Sequence, residues 1–131
     1  MIIDSSALVA ILAREPERAE FEALVARDAS PRISAATYLE AGIVVDSPRN
    51  PILTRELDRF LSAADIAIEP VTAEQAIIAR SAYRDFGRGS GHPARLNFGD
   101  CFAYALARAL DDELLFKGND FSHTDVRPAR P

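Results

Sequence analysis

The chain has 131 residues, 48% of them hydrophobic and 27% charged, with a formal net charge of −5. That length supports one buried core, so a single domain over residues 1–131 is expected, and no apolar run approaches the roughly 18 residues of a membrane helix. The acidic balance argues against coating nucleic acid through bulk charge, though it leaves room for a local basic patch. One cysteine and two histidines exclude an internal disulfide, fit a reducing cytoplasm and make structural zinc untenable. Any metal would be hard and held by carboxylates, meaning Mg²⁺ or Mn²⁺.

Ile2-Ile3 reads as the end of a short buried strand, with no positively charged leader before it, and Asp4 follows at once. An acid there is either a helix cap or a functional group at a strand end. Ser5 or Ser6 is expected to cap a helix through Leu8, Val9, Ile11 and Leu12. Pro16 suits the first turn of the next helix, with Ala19, Leu24 and Val25 on its apolar positions. After a turn at Ser30-Pro31, residues 32–34 form a strand and 35–45 a helix that stops before Ser47-Pro48. Leu53, Leu57, Phe60, Leu61 and Ala64 make a helical stripe behind Pro51.

Residues 66–71 alternate and read as a strand, and Thr72 caps a helix through Ile77, Ile78, Ala82 and Tyr83. The stretch GRGSGHPARL at 87–96 is a loop, which its three glycines make mobile. Another helix carries Phe98, Phe102, Ala105, Leu106, Ala109 and Leu110 on its apolar side. Residues 113–116 form a strand, Gly118-Asn119-Asp120 a turn, and 125–127 a last edge strand. Strands separated by helices imply an α/β fold: a parallel sheet of four or five strands flanked by helices. Ligands in such sheets bind at the carboxyl ends of the strands, where Asp4 and Asp120 fall.

Two further acids stand out. Glu40 in TYLEAGIVV and Asp100 in NFGDCFAYA are set among apolar or small residues, where an isolated carboxylate is expensive unless partnered. Each of the four has an ordinary reading on its own: Asp4 as a cap, Glu40 as a solvated helix residue, Asp100 as a first-turn acid favoured by the helix dipole, Asp120 as an Asx turn. Their joint placement is what favours a common site.

The segments DSSALVA, TYLEA, FGDCFAYALA and LLFKGNDF, in that order and spacing, resemble the PIN domain, and within it the VapC toxins of bacterial type II toxin–antitoxin pairs. The resemblance covers essentially the whole chain; Ser5 departs from a frequent threonine but keeps the hydroxyl. It implies a PIN-like fold and a Mg²⁺- or Mn²⁺-dependent endoribonuclease whose catalytic, metal-binding quartet is Asp4, Glu40, Asp100 and Asp120, with Ser6 and Asn119 in support. It further implies an RNA substrate, a cognate VapB-like antitoxin that presses a basic side chain into the acidic pocket, and homodimer formation. Without metal the four acids would repel one another, and at least one should hold its proton to higher pH.

Arg80, Arg84, Arg88, His92 and Arg95 crowd a stretch with one acid, Asp85, and Lys117 is a second cation near the site. Arg84, Arg88, Arg95 and Lys117 are therefore expected to contact RNA phosphates, against the plainer reading of a solvated helix face. Tyr38, Tyr83 and Tyr104 are expected in packing more than in base stacking. Leu8, Leu12, Phe21 and Leu24 could line an apolar groove that receives an antitoxin helix, but ordinary core is the favoured reading for most of them. Rival readings are a receiver-like Mg²⁺-binding signalling domain, which would want adjacent acids after the first strand, a haloacid-dehalogenase-type phosphotransferase, which would want an acid at Ser6, and a catalytically inactive PIN-fold binding module.

Overall fold

The computed structural model describes residues 1–130. Two isoleucines suffice for β1 (Ile2–Ile3), because both faces of the sheet are covered and both side chains are fully buried. Ile2 enters one core with Leu96 and Leu114, and Ile3 enters the other with Ile33 and Leu115. That is the two-residue alternation of a pleated strand. With β2 (Arg32–Ser34), β3 (Ala67–Glu69) and β4 (Leu114–Leu115) the sheet is parallel throughout, in the order β3-β2-β1-β4. Ile2 is in register with Arg32 on one side and Leu114 on the other.

The chain runs from β1 to β2 through α1 (Ser5–Leu12) and α2 (Arg18–Arg27), and from β2 to β3 through α3 (Ala35–Asp46) and α4 (Pro51–Ala63). Then α5 (Ala73–Phe86) and α6 (Asp100–Leu110) carry it back across the sheet to β4. Strand order therefore reverses between β1 and β4, which places a cleft at the carboxyl ends of those two strands.

The expected α/β sheet has four strands. Residues 125–127 do not add a fifth: Leu114 N–H donates to the Arg127 carbonyl and Ala129 N–H to that of Leu114, a single bridge at Pro128. Proline has no N–H with which to lengthen that ladder. At α1 neither Ser5 nor Ser6 is the cap; both lie inside the helix, and Asp4 caps it. Pro16 precedes α2, which starts at Arg18. Thr72 caps α5 as expected, accepting from Gln75 N–H at 3.1 Å.

Three other readings are decided by the structure. Leu8, Leu12, Phe21 and Leu24 are at most 8% exposed and form core between the first helices and the sheet, so they line no groove. Phe98 precedes α6 and is 77% exposed. The loop over 87–96 is tied down: Arg88 N–H donates to the Leu96 carbonyl, Leu96 N–H to that of Phe86, and Ala94 and Leu96 are fully buried. His92 packs edge-on against Phe86 at 4.9 Å between ring centroids. Gly89 and Gly91 take φ of 85° and 84°, left-handed backbone that lets the loop turn tightly. Of the tyrosines, Tyr104 is buried with its hydroxyl donating to Asp125 at 2.6 Å, Tyr38 packs on the core, and Tyr83 is exposed.

Candidate active site

The question of whether Asp4 caps a helix or serves a site has one answer covering both. Asp4 N–H donates to the Leu115 carbonyl at 2.9 Å, which fixes the residue at the carboxyl end of β1 beside β4. Its carboxylate is 2% exposed. One oxygen, Oδ2, accepts from Ser6 N–H at 2.9 Å and from Ser6 Oγ at 2.5 Å, and so starts α1. Ser6 Oγ in turn accepts from Lys117 N–H at 3.0 Å, tying the cap to the segment that follows β4. The other oxygen, Oδ1, is buried and takes no hydrogen bond from the chain.

Asp100 divides its carboxylate in the same way. Asn97 Oδ1 accepts from Asp100 N–H and Asp100 Oδ2 accepts from Asn97 N–H, each at 2.8 Å. This reciprocal pair closes the turn over residues 97–100 that leads into α6, and Phe98 is thrown outward in that turn. Glu40, in the middle of α3, accepts from Ser5 Oγ at 2.5 Å through Oε1. Its carboxylate lies against Gly99, where an added Cβ would stand 1.8 Å from Oε2. Gly99 keeps an ordinary φ of −63°, so its side chain is missing to make room for Glu40.

Asp120 opens a short 3-10 turn, Asp120–His123, whose Phe121 is buried and anchors it. Asp120 itself is exposed. All four acids line one open cleft of about 540 Å³, together with Ser6, Asn97 and Lys117. Asn119, expected in support, is exposed, makes no side-chain cap to that turn and is absent from the cleft wall. Asn97 is the amide that belongs to the site.

Crowding shows in the protonation of the acids. Burial, followed by the charges of Asp4, Asp120 and Glu40, pushes the Asp100 carboxyl up to about 6, against the pull of the Asn97 N–H. Burial also raises Asp4, with Glu40 adding to it and the Ser6 hydrogen bonds opposing. Two of the four acids, Asp100 and Asp4, are thus shifted toward their protonated forms, with burial the larger cause and the neighbouring charges the smaller. Among the described residues no three carboxylate, imidazole or thiol groups stand close enough as placed to grip one cation.

The cations fare differently. Arg84 is ion-paired with Asp85 at 2.8 Å. Lys117 lines the cleft, but its ammonium is engaged by Glu15 and lies 3.1 Å from Glu17. Arg88 and Arg95 are exposed and have no ion pair among the described residues, yet neither lines the cleft. Ser5, Asn97 and Gly99 are site residues that the sequence reading did not assign. The spacing Asn97-x-x-Asp100 before an apolar run was the available signal for one of them.

Comparison with known proteins bears on the family and the fold. The family model of the PIN domain matches residues 1–127. Ribonuclease VapC28 of Mycobacterium tuberculosis and VapC ribonuclease Mb0625 of Mycobacterium bovis are each 54% identical over 129 residues, covering 98% of this chain and 97% of theirs. The crystal structure of Mycobacterium tuberculosis VapC20, described as a sarcin-ricin loop cleaving toxin, superposes with a TM-score of 0.76 at 17% identity, covering 99% of this chain and 98% of that one. A chain of a toxin–antitoxin complex from Klebsiella pneumoniae gives a TM-score of 0.68 at 17% identity over 92% of this chain and 89% of its own. The sheet order and family match set aside the receiver-like reading. The chain belongs to the PIN domain family, within its VapC group.

Proposed function

We propose that the protein is a Mg²⁺- or Mn²⁺-dependent endoribonuclease, the toxin of a type II toxin–antitoxin pair. The observation that carries this reading is the way three acids share their oxygens. Asp4, Glu40 and Asp100 each give one oxygen to a hydrogen bond that fixes the carboxylate, each keeps a second oxygen without a hydrogen bond among the described residues, and all three line the cleft where strand order reverses. The buried, unbonded Oδ1 of Asp4 is the atom most in need of a partner, and an all-oxygen donor set suits a hard divalent cation. Asp4, Glu40, Asp100 and Asp120 would hold it, with water completing the shell that these side chains leave open. A cation bound there supplies a more acidic water and compensates charge on the attacking and leaving oxygens of a phosphodiester.

The chain's own residues do the rest. Ser5 and Ser6 hold Glu40 and Asp4 in orientation, Asn97 does the same for Asp100, and Asp120 completes the ring from an exposed turn. Arg88 and Arg95, exposed and without an ion pair among the described residues, are available to RNA phosphates. The names of the relatives, VapC ribonucleases, and the toxin–antitoxin complex among similar structures support both the reaction and a VapB-like antitoxin partner. Exposed apolar surface beside the cleft favours two protein contacts. A groove lined by Leu39, Ile43, Val44, Phe98 and Phe102 opens next to Glu40 and would seat an apolar antitoxin segment whose basic residue reaches the acids. A second groove on the far side of Phe98, walled by Ala76, Ala79 and Tyr83, would serve a second copy of the chain. Among the described residues no helix is long and apolar enough to cross a membrane.

The test is cleavage of a labelled RNA by the purified protein with Mg²⁺ or Mn²⁺, beside EDTA and beside Asp4→Ala. Cleavage that needs both the metal and Asp4 is the expected result. Cleavage that persists in EDTA would overturn the metal dependence, and no cleavage of any cellular RNA would leave an inactive binding module as the better reading.

A further inference from the structure

Two buried hydroxyls stand unexplained by the site just described. Ser34 is 0% exposed and Thr37 is 1% exposed, and neither Oγ of Ser34 nor Oγ1 of Thr37 has a hydrogen-bond partner within the chain. Buried hydroxyls without partners are rare and costly. Ser34 is also in the N-cap position of α3, where serine normally accepts from a free helical N–H, yet it makes no such bond. Its hydroxyl is turned to some other use.

Their neighbour is Asp4. Because Ile2 pairs with Arg32 in parallel register, Asp4 and Ser34 are register neighbours at the carboxyl ends of β1 and β2, on the same face of the pleat. Thr37 stands one helical turn beyond Ser34 on α3. Asp4 Oδ1, Ser34 Oγ and Thr37 Oγ1 are thus three buried, unbonded polar atoms on adjoining elements. Neighbouring strands lie about 4.8 Å apart, so the short side chains of Asp4 and Ser34 stand side by side on that face.

We propose that Ser34 and Thr37, with Oδ1 of Asp4, form a binding site for one buried water, and that this water sets the rotation of the Asp4 carboxylate. Each of the three atoms gains a hydrogen bond: the water donates to Oδ1, whose second lone pair stays available to a cation, donates to one hydroxyl and accepts from the other. Ser6 then fixes one carboxylate oxygen and the water the other, so Ser34 and Thr37 are positioning residues that act on the cleft through Asp4. The effect on metal binding rests on the function proposed above; the water site itself does not.

Thr37→Val keeps the shape and removes the hydroxyl, Thr37→Ser keeps the hydroxyl, and Ser34→Ala removes the other one. In metal-free buffer, a long-lived water giving a nuclear Overhauser effect to the Thr37 methyl is expected in the parent protein. Thr37→Val should melt several degrees lower and bind Mn²⁺ about tenfold more weakly by calorimetry, with Ser34→Ala alike and Thr37→Ser restoring Mn²⁺ affinity. Idle hydroxyls predict the opposite sign, since removing an unsatisfied buried group stabilises. A parent protein without the water signal, or a Thr37→Val variant with unchanged Mn²⁺ affinity, overturns the proposal. A parent protein that binds no Mn²⁺ overturns the metal function instead, and the water signal then decides this inference alone.

Discussion

Asp4, Glu40 and Asp100 differ from Arg84, Arg88 and Arg95 in what holds them. Each acid is tied into the fold by a hydrogen bond that also starts a helix or bridges two of them. The arginines sit on the solvent side of α5 and of the loop after it, and the one with a defined partner spends its charge on its sequence neighbour Asp85. Placing a carboxylate at 2% exposure costs several kcal/mol unless something compensates, whereas an exposed arginine costs nothing. Charge placed at a cost points to a use; charge placed freely needs independent proof of one.

The sharpest way to break this contrast is to separate the two duties of Asp100. Asp100→Asn keeps an oxygen for Asn97 N–H and removes the negative charge. Metal-dependent RNA cleavage should fall by a hundredfold or more, with the melting temperature in EDTA no lower than that of the parent protein. Asp100→Ala should lose cleavage equally and also about 1 kcal/mol of stability, the usual value of a lost hydrogen bond, here that from Asn97 N–H. Wild-type cleavage by Asp100→Asn would reduce Asp100 to its hydrogen bond with Asn97.

Gly99→Ala probes the same boundary from the side of Glu40. The new methyl would strike the Glu40 carboxylate, the far end of a flexible side chain, so the carboxylate moves and the backbone stays. Cleavage should drop about tenfold, the scale on which a displaced supporting contact acts, while thermal stability changes little. Unchanged cleavage would show that the Glu40 position is not critical.

Protonation gives a smaller effect with a definite sign. The Asp100 carboxyl is raised from 3.8 to about 6 in the folded protein. The folded state therefore holds the proton more tightly, and the stabilisation this brings is fully present below about pH 3.8 and lost as pH rises through about 6. Asp4, raised as well, acts in the same direction. Because Asp100 is partly solvated, about 1–2 kcal/mol is expected from it after allowance for screening. Denaturant titrations in EDTA between pH 7 and pH 4.5 should show this gain for the parent protein and a reduced one for Asp100→Asn. Equal gains in the two proteins would remove Asp100 as the source.

Much of this architecture was legible because it follows from local chemistry. Pro51, Thr72 and the apolar spacing after them placed α4 and α5, and Ile2-Ile3 before an acid located the strand end that bears Asp4. What escaped depends on tertiary neighbours. Leu8 and Phe21 have the spacing of a groove and of a core alike, and only the sheet beneath α1 and α2 decides between them. Lys117 looked free because Glu15 and Glu17 are a hundred residues away in the chain. Gly99 could be understood only once Glu40 was seen against it.

The smallest expected effect belongs to the arginines, and it decides whether the freely placed charge has a use after all. Arg88 and Arg95 flank the tied loop and have no ion pair among the described residues, and Arg95 stands two residues before Asn97 of the cleft wall. If both hold RNA phosphates, replacing both with serine should weaken RNA binding several-fold. It should also make the log–log salt dependence shallower by roughly 1.4, that is 0.7 for each contact to a single strand. Discrimination among RNA sequences should be unaffected, since phosphate contacts position the strand without reading bases. Arg84→Ser should change neither quantity, because that guanidinium is already neutralised by Asp85. Fluorescence anisotropy of a labelled RNA at several salt concentrations, with Ca²⁺ in place of Mg²⁺ to suppress cleavage, measures all three. A slope unmoved by the double substitution makes the basic loop a solvated surface and confines substrate contact to the acidic cleft; a slope moved as much by Arg84→Ser would mean that the Asp85 pair opens to RNA.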